Sequence, residues 1–346
     1  MSSSYKPDVI IFMTDEERAI PPYEAPEVLE WRDNVLSGRN WFKNNGVSFN
    51  RHYTGSLACV PSRPTLFTGQ FPDVHGVTQT DGLGKDAYDA RMRWLAPREV
   101  PTLGHWFRAA GYDTHYDGKW HISHADLIDE STGVPLATNT SDGTILHDAV
   151  KQYLEMNPLN EYGFSGWVGP EPHGALLGNS GIIRDPLIAD RTVRWLEDRY
   201  RRRNLGDSDA LKPFLLVVSF VNPHDIVLLP LYMRRPENNP YLSSDFDPPD
   251  IPIPPTRYED LSSKPAAQIA YKYSYYSGYG VQRAVQRLYE SNEQEYRNLY
   301  YRMHLEVDNP LDMVRKAVIT DGSREKIIFR TSDHGDLLGA HGGLHQ

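Results

Sequence analysis

The chain has 346 residues and a formal net charge of −10 at pH 7. With 39% hydrophobic and 24% charged residues, its composition excludes a disordered chain. The acidic balance argues against a general nucleic-acid binder, which would carry a basic face, and no stretch approaches the roughly 18 apolar residues of a membrane span. We therefore expect neither a nucleic acid nor a membrane as a partner. The single cysteine, Cys59, excludes a disulfide framework within the chain.

Four short apolar runs predict strands, namely residues 9–13, 112–116, 214–221 and 327–329. All but the second, which is half polar, are rich in Val, Ile and Phe and show no alternation. This pattern is typical of strands buried on both faces of a parallel sheet. The first run is also too short for the core of a signal peptide and is followed at once by acidic residues, so we expect a cytoplasmic protein.

Helices are predicted between the strands, over residues 102–110, 190–203 and 281–316, with a break in the last one at Pro310. Strands that alternate with helices indicate an α/β fold with a mostly parallel central sheet flanked by helices. Ligands of such sheets collect at the carboxyl ends of the strands. Because each apolar run is followed by Asp, His or Lys, we expect these polar side chains to converge there.

Three further segments carry predictions of their own. The basic run 199–203 is expected to be a solvated helix end near the negative pole of the helix dipole. Residues 238–255, rich in Pro and Asp, predict an irregular excursion. The tyrosine patch at 271–279 is interpreted either as a packed insert or subunit contact, as in a homo-oligomer, or as a wall of a substrate pocket.

The most informative stretch is CVPSR at residues 59–63, which continues with LFTG at 66–69. A cation four residues from a thiol on one helical face lowers the thiol pKa or holds an anion, whereas a cysteine without such a context is typically inert and buried. The two segments resemble the signature of type I, formylglycine-dependent sulfatases of the alkaline phosphatase superfamily. The resemblance implies that Cys59 is oxidised to formylglycine by a formylglycine-generating enzyme, and that Arg63 is catalytic.

A second pair of segments, GYDT at 111–114 and GKWH at 118–121, resembles the second signature of the same family. It implies that Lys119 and His121 are catalytic and that Lys119 also binds the substrate. Asp117 departs from the family pattern, which has a small apolar residue at this position. Without the first motif, Lys119 and His121 would be interpreted as charges at the end of a surface strand.

Acidic residues follow the first and the last predicted strands. Carboxylate oxygens at strand ends suit Ca²⁺, Mg²⁺ or Mn²⁺. The resemblance implies one divalent metal, Ca²⁺ by default with Mn²⁺ or Mg²⁺ open, held by Asp15, Glu16, Asp333, His334 and the modified Cys59. Glu16 stands where relatives have Asp or Gln. The alternative interpretation is that residues 15–17 are only an acid cluster at a helix N-terminus.

His224 follows the third predicted strand. The resemblance assigns it to the sulfate and the leaving-group oxygen, as a catalytic and substrate-binding residue, whereas a structural histidine is the alternative. We interpret His75 as structural support for the helix that carries Cys59. The implied activity is that of a sulfatase, which hydrolyses a small-molecule sulfate monoester to an alcohol or phenol plus sulfate.

The implied reaction uses a metal-bound formylglycine hydrate as the nucleophile at sulfur. Arg63 and Lys119 neutralise the sulfuryl oxygens, His224 protonates the leaving group, and His121 accepts a proton when sulfate is released. The Asp333–His334 pair also fits a phosphonate monoester or phosphodiester hydrolase of the same superfamily. A non-catalytic protein on a sulfatase fold is the third hypothesis, since a fold does not fix a function.

The resemblance covers essentially the whole chain, so we predict one sulfatase-type catalytic domain over residues 1–346 with an irregular, Pro- and Tyr-rich insert at about 226–295. Family members commonly continue with a lysine, a further strand pair and a smaller C-terminal subdomain beyond the point where this sequence stops. We therefore expect the chain to be C-terminally truncated, without that active-site lysine and with an unpaired late edge of the sheet.

Overall fold

The computed structural model describes residues 6–82, 86–172, 176–241, 243–278 and 283–345, without the side chains of 238, 274–278 and 283–285. Within these ranges, four parallel strands form one sheet in the order β2-β3-β1-β4. The strands are β1 (Asp8–Asp15), β2 (Asp113–Gly118), β3 (Phe214–Pro223) and β4 (Lys326–Ser332). All four predicted strands and the predicted α/β class with a parallel sheet are confirmed.

Helices cover both faces of this sheet. The α-helices are α1 (Pro26–Val35), α2 (Ser37–Asn45), α3 (Cys59–Thr68), α4 (Pro72–His75), α5 (Leu103–Ala109), α6 (His147–Met156), α7 (Gly181–Asn204), α8 (Leu229–Arg234), α9 (Ala266–Gly278), α10 (Arg283–Ser291), α11 (Glu293–Thr320) and α12 (Ala340–Gly343). Short 3-10 helices occupy Asn160–Tyr162, Leu177–Asn179, His224–Leu228, Pro236–Asn238 and Leu261–Ser263. No helix in the described ranges is long and apolar enough to cross a bilayer.

The core lies on both sides of the two central strands. On one face, Ile10 and Leu216 pack in a cluster with side chains of α7 and α11. On the other, Leu215 and Val217 pack in a cluster with α3 and with the aromatic ring of Trp120. The prediction of burial on both faces is therefore confirmed for β1 and β3.

The same prediction is wrong for β4. Ile327 and Phe329 are 47% and 51% exposed, because β4 is the edge strand of the described sheet and only its alternate residues face the neighbouring layer.

The predicted break at Pro310 is also wrong. The helix α11 runs through this proline to Thr320. Proline removes one N–H bond from a helix, but the flanking Val307 and Leu311 are fully buried against the sheet. Packing of this face outweighs the local cost at the proline, because most helical stability in proteins comes from burying an apolar face.

The basic end of α7 is buried in part, contrary to the expectation of a solvated helix end. Arg203 is 6% exposed and donates to the two carboxylate oxygens of Asp8 at 2.8 and 3.1 Å. Arg199 is equally buried and pairs with Asp113 at 2.5 Å. These contacts tie the end of α7 to the amino ends of β1 and β2.

The predicted insert at about 226–295 is irregular in its middle and helical elsewhere. Between Asn239 and Asp260, Leu242 apart, the chain has no helix or strand, as predicted for 238–255. The prediction is wrong for the remainder, which forms α8, α9 and α10. In the tyrosine patch, Tyr273 is 80% exposed, while the side chains of 274–278 and residue 279 lie outside the described residues.

A glycine at the end of β2 permits a close approach between β2 and β3. Gly118 has a φ of 96°, and a Cβ built on it would lie 1.9 Å from the carbonyl oxygen of Ser219 on β3. The same oxygen accepts the Lys119 N–H at 2.9 Å. A side chain at position 118 would therefore push β2 from β3 and displace Lys119.

We predict that Gly118→Ala lowers the free energy of unfolding far more than Gly133→Ala. Gly133 has a φ of 71° but no atom within 4 Å of a built Cβ, so its substitution carries only the left-handed backbone cost of about 1–2 kcal/mol. Urea unfolding of both variants measures the difference. Equal losses would contradict the close approach of the two strands.

Candidate active site

Polar side chains from all four strands meet at the carboxyl edge of the sheet, as predicted. Asp15 ends β1, Lys119 follows β2, His224 follows β3, and Asp333 and His334 follow β4. The first turn of α3 faces this edge and presents Cys59. Donor atoms of Asp15, Cys59, Asp333 and His334 all lie within 4.8 Å of one another.

These four residues form a compact and buried donor set. The Cys59 Sγ lies 3.0 Å from Nε2 of His334 and 3.5 Å from Oδ1 of Asp15. The other ring nitrogen of His334, Nδ1, lies 3.0 Å from the carbonyl oxygen of Gly335. Because a carbonyl oxygen only accepts, Nδ1 carries the proton in the neutral ring, and Nε2 then presents a lone pair to the donor set. Metal-binding histidines are commonly oriented in this way. Burial alone would lower the pKa of His334, but Asp333 and Asp15 outweigh burial and raise it.

Glu16 supplies the clearest sign that a cation fits the site. Its donor atoms lie within 4.8 Å of those of Asp15 and His224. Both of its carboxylate oxygens are buried and accept no hydrogen bond from the part of the chain that the structure describes. Burial, together with the neighbouring carboxylate of Asp336, raises the pKa of Glu16 well above its usual value. A divalent cation between these oxygen donors would compensate the charge.

The backbone holds Glu16 in this position. Its φ is 67°, in the left-handed region. Its N–H donates to Oδ1 of Asp333 at 3.0 Å, and its carbonyl oxygen accepts the hydroxyl of Tyr300 at 2.6 Å. The side chain therefore projects into the site from a residue whose main-chain N–H and carbonyl oxygen are both hydrogen-bonded.

Arg63 links the two aspartates of the donor set, Asp15 and Asp333. Its Nε donates to Oδ2 of Asp333 at 2.8 Å, and its NH2 group donates to Oδ2 of Asp15 at 3.1 Å. The NH1 group donates to the carbonyl oxygen of Lys119 at 2.6 Å. Burial alone would lower the pKa of Arg63, but the aspartates outweigh burial and raise it.

Lys119 is fully buried and forms an ion pair with Asp15. Burial alone would raise the pKa of Asp15, but Lys119, His224 and Arg63 outweigh burial and lower it well below the usual range. Asp15 is therefore a carboxylate at neutral pH and can serve as a metal ligand.

Burial raises the pKa of the Cys59 thiol well above its usual value, and Asp15 adds to the effect. Reactive cysteines sit in electropositive sites that favour the thiolate. The Cys59 site has cations, but carboxylates offset them, so the unmodified side chain is a neutral thiol.

The two predicted catalytic histidines occupy different surroundings. His224 is half-buried, and its pKa is lowered to about 3 by burial and by the charge of Lys119. His121 is buried, and burial together with Lys119 and Arg63 lowers its pKa. Its Nε2 lies 2.8 Å from Oδ1 of Asp81. The structure thus places His224 beside Asp15 and Glu16, whereas His121 lies outside both groups of candidate metal ligands.

Three carboxylates of the site were missed by the sequence analysis. Asp81 contacts His121, Asp336 neighbours Glu16, and Glu171 accepts the main-chain N–H of His121 at 2.6 Å. Asp336 lies two residues beyond His334, which is a signal that could have been used. No pattern in the sequence singles out Asp81 or Glu171.

Two smaller expectations can be compared with the structure. Asp117, the departure from the second signature, is buried and pairs with Arg191 of α7. His75 supports the cysteine helix, as predicted, since its Nε2 lies 3.1 Å from the hydroxyl of Thr65 in α3.

The carboxyl edge of this α/β sheet gathers carboxylates, a cysteine and buried cations around one centre. The sulfatase family profile matches residues 32–346. The chain belongs to the sulfatase family.

Individual relatives agree with this assignment. The chain is 26% identical over 302 residues to the uncharacterized sulfatase YidJ of Escherichia coli (strain K12), covering 86% of this chain and 51% of that protein. It is 23% identical over 341 residues to a choline-sulfatase of Rhizobium meliloti (strain 1021), covering 97% and 59%. A solved 2-O GAG sulfatase shares the fold, with a TM-score of 0.60, 18% identity, and coverage of 99% of this chain and 60% of that one. The chain thus spans between half and three fifths of these proteins.

We predict that Glu16→Gln has opposite effects on the metal-free and the metal-loaded protein. Without metal, the substitution removes a buried carboxylate that lies beside Asp336, and thermal stability should rise. Affinity for Ca²⁺ should fall about tenfold or more, because ligand charge sets affinity at oxygen sites. Calorimetric titration after chelation, with thermal unfolding, measures both.

The matched control is Glu27→Gln, which removes an exposed carboxylate from the first turn of α1. It should change neither quantity. If Glu16→Gln left Ca²⁺ affinity at the wild-type value, Glu16 would not be a metal ligand.

Proposed function

We propose that this chain is the catalytic part of a sulfatase that hydrolyses a sulfate monoester to an alcohol or phenol plus sulfate. The observation that carries the proposal is the convergence of Cys59 with Asp15, Asp333 and His334 within 4.8 Å. Two buried cations, Arg63 and Lys119, border the same centre. This combination suits an anionic ester that must be bound and activated in one place.

The proposal includes formylglycine at position 59 and one divalent metal, with Ca²⁺ as the first candidate. When both are present, the aldehyde of formylglycine would add water to give a hydrate with a hydroxyl nucleophile, and the metal would favour deprotonation of that hydroxyl. Asp15, Glu16, Asp333 and His334 would hold the metal, since their donor atoms are oxygen and imidazole nitrogen. Maturation by a formylglycine-generating enzyme is part of the proposal.

Arg63 and Lys119 would stabilise the negative charge on the sulfuryl oxygens. Both side chains are fully buried, and fixed charges act most strongly where water is excluded. They are also held in place before substrate arrives, since both contact Asp15. Little reorganisation is therefore needed during the reaction.

The two histidines would move protons. His224 lies half-exposed beside the donor set, where its ring can reach the leaving-group oxygen of a bound ester. The negative charge of that ester raises the pKa of His224 from its low value and favours the protonated form. His121 is neutral before reaction and can accept a proton.

A second candidate activity is hydrolysis of phosphonate monoesters or phosphodiesters. The observation that favours it is the place of His334, whose Nε2 lies within the donor set. Because the nucleophile and cations would serve sulfur or phosphorus equally, a direct comparison of the two ester classes must decide between these activities.

The first test is hydrolysis of 4-nitrophenyl sulfate and of 4-nitrophenyl phenylphosphonate by the chain produced with a formylglycine-generating enzyme and supplied with Ca²⁺. We expect sulfate ester turnover to exceed phosphonate turnover. Arg63→Ala should lower kcat by about 10²-fold or more, as for loss of one charge-stabilising donor. Near-normal turnover by Arg63→Ala, or a phosphonate preference of orders of magnitude, would contradict the proposal.

Cys59→Ala is the matched variant for this test. It removes the nucleophile and one candidate ligand but leaves Asp15, Glu16, Asp333 and His334, so Ca²⁺ should still bind, with lower affinity, while turnover is lost. Thermal unfolding of each variant shows whether a loss of turnover reflects a loss of fold.

A second test is the mass of the tryptic peptide that carries position 59. Because Arg63 precedes a proline, trypsin should release residues 52–85 as one peptide. We expect loss of sulfur and gain of oxygen at position 59, and the Cys59→Ala peptide is the control. A free thiol in protein from the native source would contradict the formylglycine proposal.

A further inference from the structure

We infer that Asp81 is a positioning residue for His121, and that its carboxylate fixes the imidazole so that Nδ1 is the proton acceptor. The inference rests on the proposed function, in which His121 accepts a proton. Asp81 belongs to the segment after α4, which neither sulfatase signature includes.

The contact between the two side chains is short and shielded from water. Oδ1 of Asp81 lies 2.8 Å from Nε2 of His121, and the side chains are 13% and 3% exposed. A hydrogen bond to an ionised acceptor is stronger than one between neutral groups, and low exposure limits competition from water. The contact therefore restrains both the rotation of the ring and the position of its proton.

Two further contacts hold the backbone of His121 and one face of its ring. Its main-chain N–H donates to Glu171 at 2.6 Å, and its φ is 51°. The imidazole ring packs against the ring of Trp94, with the two centroids 5.5 Å apart. These contacts fix the backbone and one face of the ring, whereas the contact with Asp81 selects which nitrogen carries the proton.

The chemistry of the pair determines the tautomer. A neutral imidazole has one N–H donor and one acceptor nitrogen, and a carboxylate only accepts. Nε2 of His121 must therefore carry the proton, and Nδ1 must carry the lone pair. When a hydroxyl gives its proton to Nδ1, the electron pair of the O–H bond stays on oxygen and the ring becomes an imidazolium.

The charges around His121 determine how much the carboxylate of Asp81 is needed to stabilise the imidazolium. Lys119, Arg63 and His224 oppose a positive ring, and Asp15 favours one. In the contacting position, Asp81 adds a second negative charge that stabilises the imidazolium as it forms. A carboxylate that orients a histidine in this way acts through the histidine and does not take the proton itself.

The inference can be tested on the full chain whether or not formylglycine is present. Nitrogen NMR of ¹⁵N-histidine-labelled protein reports which ring nitrogen is protonated, and His121→Gln identifies the resonances. We expect a single tautomer with the proton on Nε2 in the wild type. Asp81→Ala should give a mixture of tautomers, whereas Asp73→Ala, which removes an exposed carboxylate from α4, should not.

The kinetic test uses the matured, Ca²⁺-loaded chain. Asp81→Ala should lower kcat by about 10²-fold, within the range for general acid–base catalysis, while KM changes much less. Asp81→Asn keeps the size of the side chain but removes its charge, so it should lower kcat too. If Asp81→Ala does not fold, Asp81→Asn provides the kinetic measurement, and Asp81→Leu, which can neither accept nor donate a hydrogen bond, provides the tautomer measurement.

The outcomes separate this inference from the proposed function. An unchanged His121 tautomer in Asp81→Ala, or an unchanged kcat in both variants of an active enzyme, would overturn the role of Asp81. If the wild type hydrolysed neither ester class, the proposed function would fail, and the tautomer measurement would still decide whether Asp81 positions His121.

Discussion

The guanidinium of Arg63 joins α3 to all four strands of the sheet. It donates to Asp15 at the end of β1, to Asp333 after β4, and to the carbonyl oxygen of Lys119 after β2. Within β3 it donates to the hydroxyl of Ser219 at 3.2 Å. The guanidinium and both carboxylates are fully buried, and breaking such a pair leaves an uncompensated charge, at a cost of about 3–5 kcal/mol. Cys59 lies one helical turn before Arg63. The hydrogen bonds that attach Arg63 to the edge of the sheet therefore also fix the position of the Cys59 thiol.

The carboxylates of the site differ in the direction in which their pKa values are shifted. Asp15 is surrounded by Lys119, His224 and Arg63, which keep it ionised despite its burial. For Glu16, burial and the neighbouring carboxylate of Asp336 move the pKa the opposite way, well above its usual value. The adjacent residues Asp15 and Glu16 thus differ in the charges that surround their carboxylates. The protein itself compensates Asp15, whereas Glu16 requires a ligand from outside the described chain to be compensated as an anion.

The sequence predicts those parts of the site that follow strands, because the carboxyl ends of parallel strands must meet at one edge of the sheet. Asp15, Lys119, His224 and Asp333 were all found on that basis. Asp81 and Glu171 were missed because each reaches His121 from a segment far away in sequence, and only tertiary packing brings them there. The predicted helix break at Pro310 and the predicted solvent exposure of Arg203 were wrong for the same reason. Both predictions used only the local sequence, whereas the outcome depends on what α11 and α7 pack against.

The separate surroundings of the two histidines suit the proposed roles of His224 as acid and His121 as base. In the described part of the chain, Nδ1 of His224 is buried and has no hydrogen-bond partner, and the low pKa of His224 reflects burial and Lys119. A bound anion would supply the missing negative charge, so protonation of His224 is coupled to occupancy of the site. His121 already has its carboxylate in Asp81, so its proton affinity depends less on the substrate. Groups whose pKa values are controlled by different partners can act as acid and base at the same pH.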